Sequence, residues 1–363
     1  MSGPELEISD GETLVSRKMD SKPRSTKLTY NDYTVGWVCA LPKEQTAATV
    51  MLDRRHPDLP KRRGDHNIYT CGSIGRHNIV IACLPKGKHG NNSIAALSTR
   101  MIATFPFIGV CLIVGIGSGI PPNVQLGDVV ISTPGNGYAG VVQWDMGKAE
   151  PDGKFKPITA LNSPPDVLLI AVAKLETHNE IYGSSTRHCL DDIGRRYPNL
   201  APRYTQPGPP GDSSPTSYIL YHSQNKWVTM YLVLLEKIVG LLGYTLGWLV
   251  FASMRILEKQ SPNTTHNALG QFQRKPEGTQ VHYGLIASGN QIIENVKTRD
   301  RLNKAFGGNV LCIEMGAAGL TSHFPCLVIR GICDYADSSI DRGWQEYAAA
   351  TAAATAKELL EYV

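Results

Sequence analysis

Four stretches of this chain place reactive or small residues directly after an apolar run. The run Ile108–Val114 ends in GIGSGIPP, residues 115–122. Small residues after a strand let backbone N–H groups approach an anion or a sugar closely. The stretch lacks the third glycine of a dinucleotide fingerprint and the lysine of a phosphate loop. A plain tight turn and a ligand-facing turn through Gly117, Ser118 and Gly119 are both open readings. Asp334, with Asp337 nearby, follows CLVIRGIC. A carboxylate there is either a helix cap or a general acid. Glu44 lies just past the first apolar strand, as a first-turn helix acid favoured by the dipole or as a base that activates water. Ser288–Gly289–Asn290 follows HYGLIA and reads as a turn or as a base-recognition loop. His56, His66, His77 and His89 show no ligand spacing and read as surface residues.

Those positions need rigid elements behind them. Tyr33–Leu41 reads as a buried strand, followed by a helix from Glu44 to Leu52. Asn67–Ser73 and Asn78–Leu84 are short strands joined at Gly75–Arg76, a hairpin signal. Asn91 or Asn92 caps a helix running to about Ala103. Asp128–Ser132 and Gly140–Trp144 are further strands, and Pro164–Leu175 is helical. From Val281 the pattern resumes with three apolar strands. Gly343–Tyr362, rich in alanine, has high helix propensity and closes the domain. Alternation of this kind implies an α/β sheet with parallel elements, and such sheets carry their chemistry beyond the carboxyl ends of the strands.

Composition narrows the function classes. The chain has 363 residues, 42% of them hydrophobic, and a net charge of +4. That charge is too weak for this length to argue for nucleic acid. The clusters Arg54–Arg55 and Lys61–Arg63 read as solvated loop charges. Of eight cysteines, Cys39, Cys83, Cys111, Cys312, Cys326 and Cys333 sit in or beside apolar runs without metal spacing. Buried reduced thiols, and with them a cytoplasmic protein, are the expectation. Residues 1–30 read as a disordered tail with no signal-peptide core. Residues 31–363 form one domain interrupted at 197–279. Within that insertion the block 227–254 is long and apolar, but Glu236 and Lys237 interrupt it. A packed helix or a gene-model artefact is favoured over a membrane span, which would make the protein membrane-associated.

Seven of these stretches, in order, resemble the nucleoside phosphorylase and nucleosidase superfamily: VGWVCALPKE, VIACLPKGKHG, LIVGIGSGIPP, LGDVVIS, GLIASGN, IEMGAAGL and VIRGICDYAD. The likeness covers about 31–195 and 280–363 and extends to fungal proteins in which such a domain precedes signalling or repeat modules. It implies a three-layer α/β fold with a central mixed sheet flanked by helices, no cofactor or metal, a small-molecule nucleoside as ligand, and a homo-oligomer. It implies cleavage of the N-glycosidic bond of a purine nucleoside. Asp334 would protonate the leaving base and Glu44 would activate water. Met315 would pack on the ribose, Ile292 would stack on the base, and Ile293 would offer it backbone groups. Ser288 and Asn290 belong to the base-side loop, and the Gly117–Gly119 stretch lies beside the sugar.

The resemblance also discriminates between acceptors. Phosphorylases of the superfamily hold phosphate with arginines after the first strand and after the glycine-rich strand. Here those places read ALPKEQ and GIGSGI, and Lys43 is the only cation in them. A dianion binds poorly without a fork of donors, so hydrolysis is favoured over phosphorolysis. One position departs from the family: Gly316 stands where a second glutamate would grip the ribose hydroxyls. Glu314, two residues earlier, is the nearest substitute. Loss of the grip leads to the alternative of a nucleoside-binding or signalling module with weakened catalysis.

Overall fold

A computed structural model of the chain describes residues 27–149, 155–157, 161–205, 279–337 and 342–363. The apolar block 227–254 and nearly all of the N-terminal tail lie outside the described residues. In chain order the elements are β1 (Val35–Cys39), α1 (Pro42–Met51), β2 (Arg54–Arg55), β3 (Tyr69–Ile74), β4 (His77–Cys83), α2 (Gly90–Thr104), β5 (Val110–Gly119), β6 (Val129–Ser132) and β7 (Val141–Gln143). They continue with β8 (Gly147–Ala149), β9 (Phe155–Pro157), α3 (Asp166–Tyr182), α4 (Thr186–Arg196), the single turn α5 (Ala201–Tyr204), β10 (Val281–Gly289), α6 (Val296–Ala305), β11 (Val310–Met315), α7 (Ala317–Thr321), β12 (Leu327–Asp334) and α8 (Gln345–Leu359).

The expected mixed sheet with helices on both faces is present. Alternate residues of its central strands β1, β5 and β12 serve cores on opposite faces. Trp37, Leu112 and Ile329 face α1, α3, α4 and α8, whereas Val38, Cys111, Ile113 and Val328 face α2 and α7. Strands covered on both faces read as continuous apolar runs, which is why β1 and the first half of β5 lack polar alternation. The alanines of α8 have a steric role beyond propensity: a Cβ at Gly331 of β12 would run into the Ala348 carbonyl. Small residues on both elements let the helix seat directly on the strand. Among the described residues, no helix is long and apolar enough to cross a membrane.

Sheet connectivity creates the site. β5 pairs with β12 along one side, in parallel, from Leu112 to Ser118. On its other side it changes partner. Val110–Ile113 pair with β1, and Ser118–Gly119 pair antiparallel with Ile313 and Cys312 of β11. That second pairing closes a ring in the order β5, β12, β6, β10, β11 and back to β5. The remaining strands β1, β4, β3 and β2 extend outward from β5. Between the two partners on that side, residues 114–117 of β5 keep only β12 as a neighbour among the described residues, so a crevice opens on the side away from β12.

Four sequence expectations change here. The glycine-rich stretch is not a turn up to Gly119; it is the second half of β5. Its length depends on pairing with β11, nearly 200 residues downstream, which local pattern does not report. Arg54 and Arg55 are not loop charges but form β2, the exposed strand at the outer edge of the sheet. The helix expected over 164–175 runs on to Tyr182. The start of the insertion, expected as loop from 197, contains the turn α5, whose Tyr204 is buried.

Candidate active site

The crevice beside β5 opens into a cavity of about 220 Å³. Glu44 forms one wall. It is the third residue of α1 and is 4% exposed. Its Oε2 accepts from the Ala40 and Leu41 amides at 2.7 and 2.9 Å. Its Oε1 accepts from the Ile116 amide at 2.9 Å. The Ile116 N–H is available for this because, among the described residues, no strand pairs with β5 at that point on the side away from β12. Burial pushes the Glu44 carboxyl above its ordinary range, partly offset by Arg330 and by the three amides.

Arg330 stands between two carboxylates. It is 2% exposed, and its Nη2 donates to Glu314 Oε2 at 2.5 Å. Burial alone would lower its pKa, but the charges of Glu314 and Glu44 outweigh that and hold the guanidinium ionised. Its Nε has no hydrogen-bond partner among the described residues. A Cβ on Gly115 would collide with both Glu44 Oε1 and Arg330 Nη1. A Cβ on Gly117 would lie 2.5 Å from the Cys312 sulfur. The glycines of β5 are therefore needed to admit side chains from β12, β11 and α1 across the strand.

Asp334 ends β12, level with Ser118 on β5. Its Oδ1 accepts from the Ala336 amide at 2.9 Å, and the Cys333 thiol donates to Oδ2 at 3.1 Å. Ala336 has φ +53°, an unusual value for a residue with a side chain, so the turn beyond the acid is tightly specified. Asp334, Glu44, Glu314, Met315, Gly117, Ser118, Ile292 and Ile293 all line the one cavity. Ile292 is 72% exposed, a large apolar side chain displayed at the mouth.

The other expected site residues lie outside that lining. Ser288 is fully buried, and its hydroxyl accepts from the Ala318 amide at 2.9 Å. Asn290 is committed elsewhere: its Oδ1 accepts from the Asn91 amide at 3.0 Å, and its own amide and Nδ2 bond Asp145 at 2.7 and 3.1 Å. The expected cap of α2 is thus supplied by Asn290 from a distant loop, while the N-cap position itself is His89. Gly119 turns toward Val124 and Ile332 in the core. Gly316 has φ +119° and caps α7; a Cβ there would sit 2.5 Å from Ile94 Cδ1. Glu314 is engaged by Arg330 and by the Ala317 amide at 3.1 Å.

Three features were not anticipated. Arg330 carried a visible signal, a guanidinium inside an otherwise apolar strand, since buried charges are rare unless paired. His89, read as a surface residue, is exposed but lines the cavity. His56 and His77 are half-buried. Lys43 is held by Gln345 and Glu346 at 2.9 and 3.0 Å and does not line the cavity.

No family model matches the sequence. A nucleotide-binding leucine-rich repeat (NLR)-like protein of Hyaloscypha variabilis is 38% identical over 361 residues, 95% of this chain, and the chain spans only 31% of that protein's length. A 5′-methylthioadenosine/S-adenosylhomocysteine nucleosidase of Mycobacterium bovis is 24% identical over 333 residues, covering 90% of this chain and 95% of the enzyme. Among solved structures, futalosine hydrolase of Helicobacter pylori superimposes with a TM-score of 0.53 at 16% identity, covering 92% of this chain and 99% of that one. The methylthioadenosine/S-adenosylhomocysteine nucleosidase of the same organism, bound to butyl-thio-DADMe-Immucillin-A, gives 0.53 at 16% identity, covering 91% and 99%. The chain has the nucleoside phosphorylase/nucleosidase fold. Within that fold the closed ring of strands brings Arg330, Glu314 and Asp334 to one end, and α1 adds Glu44 from outside the ring, around one cavity.

Proposed function

We propose that the cavity hydrolyses the N-glycosidic bond of a purine nucleoside. The observation that carries this reading is the placement of two carboxylates with different surroundings on one small cavity. Glu44 is buried and held by three amides, and Asp334 stands at a strand end on a tight turn. In the proposed reaction Glu44 takes a proton from water and the water oxygen bonds C1′. The bond from C1′ to the base breaks, its electron pair stays with the base, and Asp334 delivers a proton to a ring nitrogen. Proton exchange with solvent then resets both carboxyls. An oxocarbenium-like transition state needs a leaving group that departs neutral and a site that stabilises positive charge on the sugar. Glu44 and Glu314 supply negative charge beside it. Met315 would pack on the ribose, and Ile292 with the backbone at Ile293 would face the base.

The charge balance supports water over phosphate. Glu44, Glu314 and Asp334 face the cavity with Arg330 as the one cation of fixed charge among its described lining side chains, and Arg330 is bound to Glu314. Lys43 is spent on Glu346. A dianion would meet net negative charge. The test is a panel of adenosine, inosine and methylthioadenosine with purified protein, with and without phosphate. Free base released equally well without phosphate supports hydrolysis, strict dependence on phosphate would replace it with phosphorolysis, and no release in either condition defeats both.

A second reading rests on Gly316. With Glu314 engaged by Arg330, no free carboxylate on this loop is available to the ribose hydroxyls. A site of this kind that binds a nucleoside without turnover would act as a sensing module.

A further inference from the structure

Asp334 needs more than a position at the end of β12; the turn that follows it must hold the carboxyl toward the base. Arg299, on α6, makes the contact that does this. It is 1% exposed. Its Nη1 donates to the Tyr335 carbonyl at 2.9 Å, and its Nε and Nη2 reach Asp300 Oδ1 at 2.9 and 2.8 Å. The same turn is pinned from its other side, where the Leu126 amide donates to the Tyr335 hydroxyl at 3.2 Å. Ala336, next in the chain, is buried with φ +53° and gives its amide to Asp334 Oδ1 at 2.9 Å. A backbone in that region persists only when its surroundings over-determine it. Removing water from a guanidinium is costly, so a fully buried arginine spent on a main-chain carbonyl is a strong constraint on that turn.

The second part of the geometry is what α6 follows. The segment entering α6 carries Ile292 and Ile293, which line the cavity, and ends at Asn295, whose Oδ1 caps the helix through the Thr298 amide at 3.1 Å. Arg299 lies one turn into that helix. It therefore ties the wall that would face the base to the turn that presents the acid. We propose that Arg299 is a positioning residue that fixes Asp334 relative to the leaving base. This rests on the hydrolase reading above. Arg299 does not line the cavity and touches no reacting atom; it acts through Tyr335 and Ala336.

The test uses the full chain as wild type, Arg299→Met, Arg299→Lys and Asp334→Asn, with two substrates. Adenosine needs its leaving base protonated. p-Nitrophenyl β-ribofuranoside does not, because nitrophenolate leaves as a stable anion. General acid catalysis is worth about 10²–10⁴-fold, and a mispositioned acid should forfeit part of that. Arg299→Met is expected to lower kcat for adenosine by roughly 10- to 100-fold with KM little changed. It should lose less on the nitrophenyl riboside than on adenosine, the same selectivity expected of Asp334→Asn, and Arg299→Lys should recover part of the loss. Equal loss on both substrates, or no loss on adenosine, overturns the proposal. If Arg299→Met does not fold, Asp300→Asn, which removes the charge that the guanidinium meets at a partly exposed position, is expected to show the same selectivity more weakly, and its absence counts against the proposal. A wild type that cleaves neither substrate defeats the hydrolase reading alone. Calorimetry with adenine then decides the positioning role: Arg299→Met and Asp334→Asn weaken adenine by the same factor if Arg299 acts through the acid. Adenine binding untouched in Arg299→Met, or absent in wild type, overturns it.

Discussion

Arg330 and Glu314, on neighbouring walls of the cavity, form an ion pair at 2.5 Å with both side chains at most 2% exposed. The second carboxylate, Glu44, approaches the same guanidinium from α1. Both acids therefore depend on one cation for compensation. Replacing Arg330 by Met should leave two buried carboxylates unpaired. Breaking a buried pair from one side costs about 3–5 kcal/mol. Urea unfolding of Arg330→Met should show a midpoint lowered accordingly. A midpoint equal to wild type would mean that water reaches these carboxylates freely.

Glu44→Gln should lower turnover of a cleaved nucleoside by roughly 10²–10⁴-fold, the usual worth of a general base. The wild-type rate should also fall on the acid side as Glu44 protonates, at a pH above the ordinary glutamate value because burial raises this carboxyl. An acid limb that persists unchanged in Glu44→Gln assigns it to another group.

The same shift has a stability counterpart with a definite sign. A carboxyl whose folded pKa is raised binds its proton more tightly in the folded chain. Its contribution is complete below the ordinary value of 4.5 and is lost as pH rises through the raised folded value. Over that window wild type should lose stability relative to Glu44→Gln. Thermal melts of the two proteins across the acid range test this, and a difference that grows in favour of wild type with rising pH would contradict the burial argument.

Gly316→Glu should not restore a ribose grip. The position holds φ +119°, and a Cβ would meet Ile94. A left-handed backbone costs about 1–2 kcal/mol for a residue with a side chain, and overpacking adds about 1–3 kcal/mol. The variant should melt lower than wild type without gaining activity, and Ile94→Ala in the same chain should recover the steric part. A Gly316→Glu protein that is stable and faster than wild type would show that this loop has another conformation within easy reach.

Asn290→Ala should destabilise through α2, because its side chain caps that helix from outside. Loss of such a cap costs about 1 kcal/mol, and here the bond to Asp145 goes with it. Amide hydrogen exchange at Asn91 should rise in the variant; protection equal to wild type would show that another group caps this end.

The sequence made the sheet legible wherever a strand is covered on both faces, as at β1, β5 and β12, because burial there writes an uninterrupted apolar run. It made Glu44 and Asp334 legible because each directly follows such a run. What it did not show depends on distant pairing. Gly115 and Gly117 looked like a turn because their neighbours, Glu44, Arg330 and Cys312, arrive from three other elements. Asn290 looked like a ligand residue because its partners, Asn91 and Asp145, are about 200 and 145 positions away. Arg330 carries a local signal of its own, since a charge within CLVIRGIC requires a buried partner, and Glu314 is 16 positions away in sequence.

The two arginines of β2 carry a consequence for how the molecule behaves in company. One side of the sheet folds back on itself through β11 and β5, so that margin offers little unpaired backbone. The opposite margin ends in Arg54 and Arg55, a strand of two exposed residues. A short, doubly charged rim gives a second chain almost no ladder to extend and repels a like rim. Crowded solutions of this protein should resist strand-to-strand growth at that margin, and Arg54→Val with Arg55→Val is the change expected to make it adhesive.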